Sequence, residues 1–168
     1  KELDFEFGDK DLIPAYPDSK EGILDVLVKL GNGNIINIEI QITHQPYYAK
    51  RCLFYWAHKY HTQLEAGGRY ADLNKVIGIH ILTENYFHQY TEMHNEFAIC
   101  HTQTKERVEQ MGDLELHFIE LAKFNNQWEQ DALSHWCLFL KEPMMITDKL
   151  DADTSIKRAY EELEKLSL

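Results

Sequence analysis

The chain has 168 residues, 44% of them apolar, which is enough for a real hydrophobic core, and a formal net charge of -11. That charge excludes a general polyanion-binding surface, so any contact with nucleic acid has to be local. Three widely spaced cysteines, Cys52, Cys100 and Cys137, form no CxxC pair and read as reduced packing residues of a cytoplasmic protein, and no apolar run approaches membrane-spanning length.

In chain order, the first strong pattern runs from Ile23 to Thr43, ILDVLVKLGNGNIINIEIQIT. Leu24, Val26, Val28 and Leu30 alternate at period two, as do Ile36, Ile38, Ile40 and Ile42, with Gly31-Asn32-Gly33-Asn34 as a turn between them. Directly opposed residues of an antiparallel pair share a face, so the two apolar rows meet only if paired residue numbers have an even sum. That parity brings Asp25 to the face of Asn37, Glu39 and Gln41. It requires an odd-length loop around Gly31 to Gly33, or a bulge, because a two-residue Asn32-Gly33 loop would split the carboxylates between faces.

Pro46 opens a helical segment, YYAKRCLFYWAHKYHTQLEA, with Gly67-Gly68 as its stop. Lys75 to Leu82, Asn95 to His101 and Leu114 to Leu121 read as further strands, and Gln127 to Lys141 and Thr154 to Leu168 as helices. The expected architecture is one α/β domain over residues 1–168, a mixed sheet of about five strands flanked by helices.

Two carboxylates converging on one face repel and are costly to desolvate unless a cation sits between them. A hard divalent ion meets that demand, with Asp25, Glu39 and the Ile40 carbonyl as ligands. Such an ion polarises a phosphodiester and makes hydroxide available near neutral pH. Gln41 can orient water or hold a phosphate oxygen, but it carries neither a proton nor a positive charge. The competing reading of the same row is a polar strand face turned to solvent.

Other residues carry paired readings of the same kind. Arg51, Tyr55 and His58 form an i, i+4, i+7 stripe through which Arg51 could reach a phosphate, with Gln63 farther along; the alternative is a polar edge around an aromatic core stripe. His58 and His61 lack the spacing of a zinc site. Lys29 shares the parity of Asp25 but sits toward the turn, and Glu120 with Lys123 reads as a surface pair. Tyr47, Tyr48, Phe54, Tyr55, Trp56 and Tyr60 cannot all face one core; the readings are base stacking or a subunit interface for some of them, or, as the better-supported alternative, cover of both the sheet and a packed neighbouring helix.

Asp25 followed by Glu39-Ile40-Gln41 resembles the Asp then Glu-x-Lys core of the PD-(D/E)XK nuclease superfamily, with Gln in the lysine position. LDVLVKLGNGNIINIEIQI, KRCLFYWAHKYHTQLEAGGRYADLNKVIGIHIL and LELHFIELAKF, in that order, resemble the Rpn family of recombination-promoting nucleases and transposases across nearly the whole chain. The resemblance implies a restriction-endonuclease-like fold and cleavage of DNA with Mg2+, or Mn2+ in its place. Asp25 and Glu39 then act as metal ligands, Gln41 stands in the lysine position, and Arg51, Tyr55 and Gln63 are candidate phosphate or DNA contacts. It also implies DNA as partner, a homodimer for double-strand cleavage, and a chain truncated at both ends, since a helix is expected before the Asp25 strand. The alternative is a catalytically inactive nuclease-fold module that binds DNA or protein, and a third reading is a regulatory partner that dimerises through the aromatic helix.

Overall fold

The computed structural model describes residues 5–7 and 23–166, with side chains over 26–165. It divides into two compact units, Lys1–Glu120 and Leu121–Leu168. The first contains β1 (Phe5–Phe7), β2 (Ile23–Leu30), β3 (Ile35–Gln41), α1 (Tyr48–His61), β4 (Val76–Leu82), β5 (His94–Ala98) and β6 (Leu114–Glu120). These strands form one mixed sheet in the order β1-β2-β3-β4-β6-β5. The β2–β3, β1–β2 and β5–β6 pairs are antiparallel, while β3–β4 and β4–β6 are parallel. The α/β expectation is met, with one short edge strand, β1, added to the five legible in the sequence. Three residues are too few for a periodicity to register.

The hairpin has the even-sum register: Asp25 pairs with Glu39, Val26 with Ile38 and Leu27 with Asn37. Its loop is the odd-length one, closed by Leu30 N–H to Asn34 O and Gly33 N–H to Leu30 O, both 2.8 Å. Gly33 sits at φ 89, the left-handed position such a loop requires. A side chain there would also collide with the Asn74 carboxamide.

The depth of the two faces departs from expectation. On β3 the buried residues are Asn37, Glu39 and Gln41, while Ile36 and Ile38 are only half-buried; on β4 they are Val76, Gly78, His80 and Leu82. The polar row therefore does not face solvent. The reason is α1, which lays Tyr48 and Cys52 into one cluster with Leu82, Leu116 and Phe118, flanked by Trp56, Tyr86, Phe87 and Phe97. Aromatic mass from the helix and from β6 supplies the apolar burial that β3 does not. Trp56 Nε1 donates to Val76 O at 2.9 Å and the Tyr60 hydroxyl to Asp113 Oδ2 at 2.6 Å, which pins α1 along β4.

α1 ends at His61, short of the expected glycine stop. Thr62 Oγ1 takes the His58 carbonyl at 2.9 Å, and the Gln63 amide leaves the helix to bind the Asn74 backbone. The second unit holds α2 (Ala132–Lys141) and α3 (Thr154–Leu166). α2 starts later than expected because Asp131 is its cap, accepting from Ser134 N–H at 2.9 Å. Leu121, Phe124, Cys137, Leu138, Ile146, Ile156 and Tyr160 are the buried apolar residues of the second unit. Of the cysteines read as packing residues, Cys52 and Cys137 are buried but Cys100 is exposed, because it lies past the end of β5 in an isolated bridge to Arg107. Among the described residues no helix is long and apolar enough to cross a membrane.

Candidate active site on the β2–β3 hairpin

Strand pairing builds the site first. The Leu30 to Asn34 bond sets the phase of the ladder, so even-numbered β3 residues exchange bonds with β2 and the Asp25–Glu39 pair is of the non-hydrogen-bonded kind. In such pairs the Cα atoms are about 4.5 Å apart and side chains approach closest. The Asp25 side chain lies outside the described residues, and its register position is what places it. By the same phase the Ile40 carbonyl faces β2 opposite Leu24; as a ladder acceptor it has a second lone pair for an ion.

Glu39 is 5% exposed and lies beside Arg51 and His80. Arg51 Nη2 is 3.3 Å from its Oε1, and His80 Nδ1 is 3.6 Å from its Oε2. Burial raises the Glu39 pKa, but His80, Arg51 and Lys59 together outweigh it and hold the carboxyl below its ordinary value. Glu39 is thus held ionised in a buried position. Burial, and after it the charge of Glu39, pushes the Tyr48 hydroxyl and the Cys52 thiol upward, so both stay protonated at neutral pH. Both contact His80 Nδ1, Tyr48 Oη at 3.2 Å and Cys52 Sγ at 3.4 Å.

The neighbours of Glu39 along β3 share one peculiarity. Asn37 Oδ1, Glu39 Oε1 and Gln41 Oε1 are buried, and none has a hydrogen-bond partner. Buried acceptors without donors are expensive, and three in a row on one strand face suit a hard cation or ordered water. Gln41 has a fixed orientation: its amide nitrogen donates to Thr43 O at 2.8 Å and Thr43 Oγ1 at 3.0 Å. Only the nitrogen can donate to a carbonyl, so the free Oε1 is an acceptor. It suits the hydrogen of a water rather than the oxygen of a phosphate.

The remaining sequence candidates separate. Arg51 and Tyr55 come together, with the guanidinium 5.4 Å from the ring centroid, and Arg51 also donates to Gln45 Oε1. Gln63 is used up at both ends of its amide by the Asn74 N–H and carbonyl. Asn74 lies six residues before His80, about 20 Å away along an extended strand, so Gln63 acts on the chain and is not gathered with Glu39. Lys29 is exposed, four residues from the register position of Asp25. Glu120 is fully buried; its Oε1 accepts the Tyr86 and Phe87 N–H groups at 2.6 and 2.9 Å and its Oε2 the Asn95 amide at 3.1 Å, so it is no surface residue.

Among the described residues, the carboxylate and imidazole cluster with ligand-like spacing is elsewhere. Glu96, Glu115 and His117 have ligand atoms within 4.8 Å of one another. They are already paired, Glu96 with Arg107, Glu115 with Lys75 and His117 with His94.

Sequence reasoning missed His80, which pairs with Glu39 across β3–β4, is buried, and stacks on Phe118 at 4.9 Å. The signal was available: His80 occupies a period-two core position of VIGIHIL, the same anomaly that marked Asp25 and Glu39. Gly78 belongs with it, because a Cβ there would sit 2.9 Å from His80 Nε2 and 2.7 Å from Leu116 Cδ2.

A mixed sheet whose β2–β3 hairpin carries Asp25 and Glu39, with a helix closing over the Glu39 face, defines an α/β domain of the restriction-endonuclease type. The family model described as PD-(D/E)XK nuclease family transposase matches residues 3–168, and the chain belongs to that family. No curated protein and no solved structure matched the chain.

Proposed function

We propose that this chain is a divalent-metal-dependent DNA endonuclease of the transposase or recombination-promoting type, with both units belonging to one nuclease-like domain. The observation that carries the reading is the row of buried acceptors without a hydrogen bond on β3, with Asp25 paired to Glu39 in register. Those residues fit a hard cation: Asp25, Glu39 and the second lone pair of the Ile40 carbonyl would hold Mg2+, or Mn2+ in its place. Bound there, the ion supplies Lewis-acid polarisation of the phosphodiester and a water of lowered pKa.

The chain's own groups do the rest. Gln41 Oε1 accepts a hydrogen of the attacking water and orients it. Arg51 exchanges its contact with Glu39 for a phosphate oxygen and supplies the positive charge that a lysine at position 41 would have carried. Tyr48 and Cys52, kept protonated, hold His80 beside Glu39 and keep the site closed to bulk water.

A second reading, a catalytically inactive nuclease-fold module that binds DNA or protein, is favoured by one observation: Arg51 already lends Glu39 Oε1 a positive charge at 3.3 Å. Plasmid cleavage with Mg2+ or Mn2+, run beside Asp25→Ala and Glu39→Ala, separates the two. Nicking by the unsubstituted chain and its loss in both variants supports the nuclease; equal nicking by all three sinks it.

A further inference from the structure

In a chain of net charge -11, α1 carries Lys50, Arg51, His58, Lys59 and His61 and no acidic residue. Along the flank that adjoins Glu39, residues 47, 51, 54 and 58 recur at helical spacing, alternating aromatic rings with cationic or imidazole groups. Tyr47 is 74% and Phe54 66% exposed, large faces left without a core to join. The cations already sit on rings: Lys50 Nζ is 5.5 Å from the Tyr47 centroid and Arg51 Cζ 5.4 Å from that of Tyr55. Phe54 meets Tyr55 edge-on at 5.6 Å. Tyr47 is also held in the left-handed region, φ 63, a strained position for an aromatic residue that persists only where its surroundings impose it. Arg51 joins this ridge to the candidate site through Glu39.

We propose that the ridge of Tyr47, Lys50, Arg51 and Phe54 binds an unpaired strand of DNA beside the cleaved phosphate; this rests on the nuclease reading of Glu39 and narrows its substrate to DNA with single-stranded segments. The chemistry selects the occupant. A polyanion matches cations on a helix that itself carries no acidic residue, and free π-faces are offered by unstacked bases rather than by an intact duplex.

The test is anisotropy of a labelled oligothymidine and of a duplex of equal length, titrated with the full chain in EDTA at low salt. Tyr47→Leu and Phe54→Leu keep apolar bulk and remove the π-face, while Phe54→Trp keeps it. The expected result is tighter binding of the single strand, a loss of roughly ten-fold for each leucine variant, and retention by Phe54→Trp. Equal single-strand affinity in all variants overturns the proposal, as does tighter binding of oligouridine than of oligothymidine. Leucine variants that dissociate a dimer in sedimentation without changing oligonucleotide affinity assign the ridge to a second copy of the chain and also overturn it. Failure here with Glu39-dependent plasmid cleavage intact removes the ridge alone; ring-dependent binding with cleavage indifferent to Glu39→Gln removes the nuclease reading alone.

Discussion

Glu39 and Glu120 are both buried carboxylates, and the strand registers put them on the same face of the sheet. Glu120 receives two backbone N–H groups and an asparagine amide, so it fastens the 86–87 segment to the end of β6. Glu39 keeps one oxygen with no hydrogen bond, beside two further orphan acceptors, with Arg51 and His80 at ion-pair distances. Burial alone therefore does not mark a functional carboxylate. The accounting of its donors does.

The contrast has consequences of graded size. Glu39→Gln should lower metal-dependent cleavage by about 100-fold or more, since a metal contributes several kcal/mol to such chemistry, while its unfolding midpoint in urea falls by less than that of Glu120→Gln. Glu120→Gln should do the reverse: urea denaturation should show a loss of about 3 kcal/mol, because the new amide nitrogen faces buried donors, with cleavage by the folded fraction unchanged. Glu120→Gln that abolished cleavage without loss of stability would erase the distinction.

Gly78→Ala should cost about 2 kcal/mol by overpacking against Leu116 and His80, measured by the same denaturation. The smallest effect is one of pH. The folded Glu39 pKa lies below its ordinary 4.5, so the stability from its charge is fully present above that value and is lost as pH falls through the folded pKa. In EDTA, Glu39→Gln should flatten the decline in thermal midpoint below about pH 4.5, and a decline as steep as the parent's would show that the pair with Arg51 contributes little.

Much of this was legible in the sequence because a strand's side-chain period is two. Leu24 to Leu30 and Ile36 to Ile42 fixed the even-sum register, and with it the odd-length loop and the pairing of Asp25 with Glu39. Which face would lie deeper was not legible, because it depends on where α1 docks: Tyr48, Cys52 and Phe118 come from distant segments and bury the polar row more fully than the isoleucines. His80 stands out by the same period-two anomaly as Glu39, but its partner was not legible, since the parallel pairing of β4 with β3 is not specified by periodicity. Gln63 read as part of a helical stripe, but Thr62 ends the helix just before it, and a tertiary bond to Asn74 takes both ends of its amide. Six aromatic residues over 47–60 are too many for one core. The structure distinguishes them: Tyr48 is in the core, Trp56 and Tyr60 tie the helix to the sheet, and Tyr47 and Phe54 remain outside.

The most direct test of the central claim is the anomalous difference map of a crystal soaked in Mn2+. The account predicts a peak at the Glu39 carboxylate, between β3 and the register position of Asp25, that disappears in Glu39→Gln. A peak at Glu96, Glu115 and His117 with none at Glu39 would contradict it.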